Sequence, residues 1–356
     1  MEAPGQVSPS EGLAPVVDSR WYAEMLGHPF VALEDALRVR FPESIVRAFM
    51  RVGALRGLAL GLLAYRVPAV GVIKNTPGVL VAAAIAAVRP ERSGLVLLEF
   101  IRRPLPRRRG RRALYLARFR LVERPLVQRG VVAGQVLTEM EMDRYPADYG
   151  ISASRLRLIP WALRAGGDEV PEPRRGPQPG VLSSGRTSCD WETLFAAAAG
   201  RSWPLTVACA PHDLARIHAL NRDGRAHVCC EVSGDEYRDL LRASGAYALV
   251  LREEGSSAGH GRLRAAVDAG VPVVASCVRA LEGYAADGET ALLVPPGDPT
   301  ALRSAIEAVL ADHELATRLR EGAIANAARW TYADYFDAVR SMLVAGRDAG
   351  FGRSRN

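Results

Sequence analysis

Short apolar runs alternate with amphipathic segments through the second half of the chain. The runs are four to six residues long and rich in β-branched residues, which predicts strands buried on both faces. The segments between them carry apolar residues at helical spacing and predict crossover helices. We therefore expect an α/β fold with a parallel, doubly wound sheet, whose strands are predicted at 180–184, 205–210, 227–232, 246–251, 272–276 and 291–294.

The helices of this half are predicted from the same pattern, at 191–199, 214–220, 235–244 and 262–269. A further helix follows Asp298, a favourable N-cap residue, with Pro299 at the first helical position. A final helix near 332–343 is expected to return to the first domain through an apolar face of Phe336, Val339, Met342 and Leu343.

The first half is less regular. Strands are expected at 69–73, 95–100, 130–137 and 155–160, with a helix between Thr138 and Tyr149. The Gly- and Pro-rich stretch 166–180 is typical of a linker between two separately packed cores. We therefore predict an N-terminal domain at 1–165, this linker, a C-terminal domain at 181–330 and a crossing helix with a tail at 331–356.

Charge divides unevenly between the two halves of the 356-residue chain. Residues 1–178 hold 27 basic and 17 acidic side chains, a balance of +10, whereas residues 179–356 hold 19 and 22, a balance of −3. The stretch from Arg102 to Arg120 is especially basic. It fits a solvated face or loop, a contact with an anionic membrane or lipid phosphate, or, least well, a nucleic-acid contact.

The cysteines and the longest apolar run indicate the cellular compartment in which the protein is expected. The five cysteines are an odd number, with no C-x-x-C pair, which favours reduced thiols over disulfides or a zinc site. The longest apolar run, from Val79 to Val88, has ten residues and is too short to span a bilayer. With no signal-peptide pattern, we expect a cytoplasmic protein, peripheral to a membrane if the basic stretch contacts one.

Two blocks near the C-terminus, G-V-P-V-V-A-S at 270–276 and D-G-E-T-A-L-L-V-P-P-G-D-P at 287–299, are distinctive. They resemble the retaining GT-B glycosyltransferases of family 4, also called group 1. The resemblance implies two Rossmann-like domains facing a cleft. It also implies that the C-terminal domain binds a nucleotide-diphosphate sugar, of the UDP or GDP type, and that the N-terminal domain binds the acceptor.

The loop from Ser256 to Arg262, S-S-A-G-H-G-R, follows a predicted strand and opens a helix. Small residues at a helix N-terminus let backbone amides approach a pyrophosphate, although a plain turn has the same composition. By resemblance, this is where the family holds the donor diphosphate, so Ser256, Ser257, Ala258, Gly259, His260 and Gly261 are candidate donor-binding residues.

The family commonly has two glutamates in this block, one contacting the sugar and one the ribose. The corresponding positions here are Ser257 and Ala265. Glu253 and Glu254, just upstream, are candidates for a substitute carboxylate, or form an exposed loop pair. Aligned with the family's G-R, Gly185 and Arg186 are expected at the donor. Arg186 would then stabilise the leaving diphosphate.

In the first half, Lys74 and Asn75 follow a predicted strand and are candidates for acceptor or phosphate binding. The resemblance predicts sugar transfer to an acceptor hydroxyl with retention, without a metal or other cofactor. Bacterial natural-product or cell-envelope synthesis is the expected setting. The alternatives are a catalytically degenerate partner protein of the same fold and a sugar-nucleotide epimerase.

Overall fold

A computed structural model describes residues 14–106, 108–163, 180–201 and 203–351, with side chains described as far as residue 345. The chain divides into two compact units. Unit 1 comprises Met1–Pro160 and Phe336–Asn356, and unit 2 comprises Trp161–Tyr335. Of the predicted linker at 166–180, all but Gly180 lies outside the described residues.

Unit 1 contains a parallel sheet whose described strands run in the order β2-β1-β3-β4-β5-β6. The strands are β1 Val16–Val17, β2 Val31–Ala32, β3 Val70–Ile73, β4 Leu95–Leu98, β5 Ala133–Val136 and β6 Leu156–Leu158. The helices are α1 Arg20–Leu26, α2 Leu33–Arg38, α3 Glu43–Arg51, α4 Gly53–Leu63, α5 Val79–Ala86, α6 Arg109–Arg118, α7 Arg124–Gly130 and α8 Glu139–Tyr149. Residues Phe119–Glu123 join α6 to α7 as a π-helical turn.

Helices α4 and α5 of unit 1 pack unusually close because α4 carries glycine at every fourth position. A Cβ atom on Gly57 would lie 2.2 Å from the carbonyl oxygen of Gly78, and one on Gly61 would lie 2.7 Å from Cβ of Ile85. The backbones of α4 and α5 therefore approach each other along the row formed by Gly53, Gly57 and Gly61, here called the glycine stripe. The contact fixes the start of α5 next to the carboxyl end of β3.

Unit 2 contains a second parallel sheet, with its described strands in the order β12-β11-β10-β7-β8-β9. The strands are β7 Val181–Gly185, β8 Leu205–Cys209, β9 Ala226–Cys230, β10 Ala246–Leu249, β11 Val273–Ser276 and β12 Leu292–Val294. The helices are α9 Trp191–Ala198, α10 Pro211–Leu220, α11 Gly234–Arg242, α12 His260–Asp268, α13 Pro299–Ala311 and α14 His313–Ala327. The last helix, α15, spans Tyr332–Phe351.

The strands of the unit 2 sheet are all parallel, but the order in which the chain adds them reverses between β7 and β10. Strands β8 and β9 follow β7 on one side, and β11 and β12 follow β10 on the other. Both central strands are buried along their whole length, as expected for a sheet covered on both faces. Loops leaving the carboxyl ends of β7 and β10 therefore diverge and open a crevice.

The structure confirms the predicted α/β class with two doubly wound parallel sheets. Differences fall in unit 1. The strand predicted at 130–137 begins at Ala133, because Gly130 still belongs to α7. In the basic stretch, Leu114 and Leu121 are 72% and 77% exposed, whereas Phe119 is buried.

From Phe336 onwards, α15 belongs to unit 1, and its apolar residues pack in the core of that unit. The Phe336 ring lies 5.3 Å from Trp21 and 5.6 Å from Tyr22, edge to face with both, and Val339, Met342 and Leu343 are buried. No helix within the described ranges is both long and apolar enough to cross a bilayer.

Candidate functional site

A cavity of about 410 Å³ lies in unit 2 at the carboxyl ends of β7, β8 and β9. Its walls come from the loop after β7, the end of β8, the loop after β9 and the start of α12. This is the position where ligands bind in doubly wound sheets, and the volume suits a small organic ligand.

The loop after β7 is fastened to the segment after β10. Asp190 donates its backbone N–H to the carbonyl of Val250 at 3.0 Å, and Arg252 donates its own to Ser188 at 2.9 Å. Cys189 and Leu251 form an antiparallel bridge between these bonds. Ser188 adopts a left-handed φ of 57°, which a non-glycine residue rarely holds without support from its surroundings.

Arg262, on the first turn of α12, lies against the backbone of Gly185. Its Nη1 donates to the carbonyl of Ser184 at 2.6 Å and to the sulfur of Cys189 at 3.3 Å, and its Nη2 donates to the carbonyl of Thr187 at 3.2 Å. A Cβ atom on Gly185 would lie 2.3 Å from Nη1. A side chain at position 185 would therefore have to displace the Arg262 guanidinium and the Cys189 sulfur.

Arg262 is the last residue of the predicted phosphate loop, but it is not among the predicted donor-binding residues. The family usually has a second basic residue a few positions after Arg186, where this chain has Ser188, Cys189 and Asp190. The fold brings a cation to the same loop from α12, about 75 residues further along the chain, as the spacing of the Arg262 contacts shows. No local pattern could identify that pairing.

Arg186 and the start of α12 both face the cavity. Arg186 is exposed, lines the cavity and forms no ion pair with a described residue. Gly259 caps α12 with a left-handed φ of 91°, and Gly261 lines the cavity in the first helical turn. Amides of a first turn have no partner inside the helix, so they and the helix dipole favour an anion here.

A chain of hydroxyl groups lies at the base of the cavity. Ser184 Oγ is 2.7 Å from the hydroxyl of Tyr237 and 2.8 Å from that of Tyr247. Tyr247 is fully buried, and burial holds its pKa well above the usual value. On the far wall, Glu231 follows β9 with a left-handed φ of 55°. The sequence analysis identified none of these residues.

The structure corrects the expectation for the His260 side chain. The imidazole is buried, with Nε2 at 2.7 Å from the carbonyl oxygen of Ala280 and the ring stacked on Tyr284 at 4.0 Å. Burial lowers its pKa to about 4. His260 therefore anchors α12 to the core, and only its backbone remains available to a ligand.

The other predicted loop residues stand apart from the cavity lining. Ser256 and Ser257 are buried, and Ala258 is half-buried. Ala265 is half-buried against the apolar core of unit 2. Their predicted donor contacts remain predictions.

Glu253 and Glu254, the predicted catalytic carboxylates, bond to protein groups outside the cavity lining. Glu253 accepts from the backbone N–H of Arg279 at 2.8 Å and from that of Gly255 at 3.3 Å. Glu254 accepts from the hydroxyl of Ser188 at 2.8 Å. Both carboxylates thus brace loops around the cavity, and a catalytic role for either remains a prediction.

The cysteines sit in unit 2 as free thiols in the described part of the chain. Burial raises the pKa of the Cys209 thiol, on the cavity wall, to about 11, so that it is protonated near neutral pH. Among the described residues, no group of three or more His, Cys, Asp or Glu side chains is placed to hold a metal ion.

In unit 1, Lys74 and Asn75 line a second cavity, of about 450 Å³. Lys74 is buried and paired with Glu123, with Nζ 2.8 Å from Oε1. Asn75 Oδ1 lies 3.5 Å from Nε of Arg103. The two predicted residues are therefore brought together at the carboxyl end of β3, and their ligand remains a prediction.

Comparisons with known proteins agree with this geometry. The sequence profile of the family described as "Glycosyl transferases group 1" matches residues 192–312. No curated protein has a significant match in sequence.

Several solved structures share the fold. Anabaena Alr3699/HepE, solved with UDP-glucose, is 14% identical with a TM-score of 0.65, and the alignment covers 93% of this chain and 99% of that one. Sucrose-phosphate synthase from Thermosynechococcus elongatus is 17% identical with a TM-score of 0.61, covering 84% and 78%. The lipopolysaccharide outer core galactosyltransferase WaaB is 14% identical with a TM-score of 0.57, covering 89% and 84%. At these identities the likeness establishes the fold.

The comparisons confirm the predicted GT-B fold, and the family match confirms the prediction that this chain is a glycosyltransferase enzyme. The assignment to family 4 and the interpretation of Ser257 and Ala265 as its two glutamate positions remain predictions.

We expect Gly185→Ala to destabilise unit 2 by about 1–3 kcal/mol, since the added methyl group overpacks a site already filled by Arg262 and Cys189. Denaturant unfolding of the two variants against the wild type measures this. Gly261→Ala is the control, because it also lines the cavity but its Cβ would meet nothing within 4 Å. Equal stability of Gly185→Ala and wild type would contradict the proposed close packing.

His260 should make stability depend on pH. An unfolded histidine takes up a proton near pH 6.5 and the folded one only near pH 4, so the unfolded state binds more protons between these values. Stability should fall by about 3 kcal/mol as the pH drops through that window. Unfolding curves of His260→Gln should lack this loss, whereas the exposed His218→Gln should keep it. A wild-type slope retained in His260→Gln would refute the assignment.

Proposed function

We propose that this glycosyltransferase moves a sugar from a nucleoside-diphosphate donor, of the UDP or GDP type, to an acceptor hydroxyl. The observation that carries the proposal is the unit 2 cavity, where Arg186 and the start of α12 converge at the switch point of the sheet. HepE, a structure of the same fold, was solved with UDP-glucose. The acceptor is assigned to unit 1.

The donor diphosphate is placed against the first turn of α12. Gly259 and Gly261 both line the cavity, and a Cβ at Gly261 would meet nothing within 4 Å, so the backbone there is open to phosphate oxygens. Tyr237, Val232 and Glu231 form the opposite wall, which is available to the nucleoside. This division matches the anionic and the neutral part of the donor.

Arg186 is proposed to stabilise the leaving group. As the bond between sugar and diphosphate breaks, negative charge grows on the diphosphate, and a guanidinium already held at that point lowers the barrier. Arg186 is free of ion pairs with described residues and can turn towards the oxygens. Arg262 holds the loop that carries it. We propose that these groups serve without a metal, and that the anomeric configuration is retained.

A catalytically degenerate protein is the second candidate, favoured by Ser257 and Ala265 at the positions where the family has glutamates. Glu254 lies on the same loop and could only replace one of them by giving up its bond to Ser188. Under this alternative the cavity binds nucleotide, if at all, without turnover. The bacterial natural-product or cell-envelope setting and a cytoplasmic location, with or without membrane contact, remain proposals.

The test is calorimetric titration of the purified protein with UDP, GDP, ADP and dTDP in the absence of metal. One nucleotide should bind selectively, and Arg186→Ala should weaken it by at least about tenfold, the loss expected for a hydrogen bond to a charged group. The control is Arg222→Ala. Arg222 is exposed and lies in the loop between α10 and β9, at the amino ends of the strands, whereas the cavity lies at their carboxyl ends.

Equal weakening by both variants would contradict a specific role of Arg186. Failure of all four nucleotides to bind at millimolar concentration would contradict the donor site. The protein could bind one nucleotide selectively and yet release no nucleoside diphosphate when it is given the matching sugar nucleotide and a panel of acceptors. That result would favour the catalytically degenerate protein.

A further inference from the structure

The cavity of unit 1 is built differently from that of unit 2. It lies beyond the carboxyl end of β3, between the start of α4, the start of α5 and one face of α6. The glycine stripe of α4 closes its floor, because backbone meets backbone at Gly53, Gly57 and Gly78. Its volume of about 450 Å³ holds a small polar molecule or the head of a larger one.

Charge in the lining of this cavity is predominantly positive. Lys74, Arg103 and Arg118 contribute three cations and Glu123 one carboxylate, so the net charge is two positive. Arg103 and Arg118 are exposed and form no ion pair with a described residue. Hydroxyl groups of Thr76 and Tyr115 lie in the same lining.

Lys74 supplies the deepest charge. Its ammonium group is buried and spends one hydrogen bond on Glu123. Burial alone would raise the pKa of Glu123, but Lys74 and the hydroxyl of Tyr149, 3.0 Å away, together hold it below its usual value. Glu123 is therefore held as a carboxylate, and of the three N–H donors of a lysine ammonium group one is used by Glu123. The other two are available to a ligand in the cavity.

The three cations Lys74, Arg103 and Arg118 together suit an oxyanion with several acceptor atoms. Two arginines at the mouth offer paired donors, and an ammonium group at the base offers a point charge, which together match the oxygens of a phosphate group. A neutral sugar would offer no negative charge to these two guanidinium groups, for which the described residues supply no ion pair. Leu114 on α6 and Leu121 in the following turn are exposed and lie within four positions of Arg118 in sequence, so they suit an acceptor with an apolar portion outside the cavity.

We propose that the unit 1 cavity binds the phosphate group of a phosphomonoester acceptor, through Lys74, Arg103 and Arg118. The inference rests on the proposed glycosyltransferase function, and it names the chemical class of the acceptor. The phosphate is an anchor, and the accepting hydroxyl belongs to the remainder of the molecule. The same phosphate chemistry occurs in a soluble metabolite and in a lipid headgroup.

The test uses two probes on the full chain saturated with UDP. Glycerol 3-phosphate, with glycerol as its neutral control, is titrated by calorimetry. Vesicles of phosphatidylcholine containing phosphatidic acid, with pure phosphatidylcholine vesicles as control, are tested by co-sedimentation. Arg118→Gln and Arg103→Gln should each weaken binding by at least about tenfold. Arg120→Gln removes the same charge from an exposed residue two positions after Arg118, outside the lining, and should have little effect.

Binding of glycerol 3-phosphate that depends on Arg118 supports a soluble acceptor, and binding confined to phosphatidic acid vesicles supports a lipid. Equal losses in Arg118→Gln and Arg120→Gln would show diffuse attraction and overturn the proposal, as would binding of neither probe. UDP binding is measured separately in the same proteins. If the wild type binds neither UDP nor GDP, the donor site alone is contradicted, because glycerol 3-phosphate binding by the wild type and by the two arginine variants of unit 1 still reports on the phosphate site.

Discussion

The cavity of unit 2 depends on one close approach, between the backbone at Gly185 and the guanidinium of Arg262. The three hydrogen bonds of Arg262 join the end of β7 to the first turn of α12, so both elements meet at one fixed point. A Cβ at 185 would occupy the space of the guanidinium and of the Cys189 sulfur. Groups that stabilise developing charge work best when they are already in place, and this contact fixes them beforehand.

The fold of unit 2 could be predicted because its strands are buried on both faces and appear as continuous apolar runs. Gly259, Gly261 and Arg186 could be found too, since each lies in a short string with local meaning. Arg262 and Tyr237 could not, because their significance comes from contacts with Ser184 and Thr187, which are 53 to 78 positions distant in sequence. The buried position of the His260 imidazole could not be predicted for the same reason, because its partners, Ala280 and Tyr284, follow on a later loop.

Unit 1 was harder to predict because its first strands, β1 and β2, span two residues each and leave almost no periodic signal. The charge asymmetry of the chain marks unit 1 as the basic half, but it could not locate a site within that half. The basic stretch contains many arginines, and only the fold selects Arg103 and Arg118 by placing them over the buried pair of Lys74 and Glu123, 49 positions apart.

The structure of the unit 2 cavity also affects whether this chain can turn over a donor. By resemblance, the glutamates replaced by Ser257 and Ala265 would contact hydroxyl groups of the donor, and each such bond contributes about 1.5–3 kcal/mol. In the proposed donor site, the part that faces the diphosphate is made from the amides of α12 and from Arg186, which neither replacement alters. Ala265 packs against apolar neighbours, where an unpaired carboxylate would be costly. The replacements therefore affect which sugar and ribose groups are recognised more than whether the diphosphate is held.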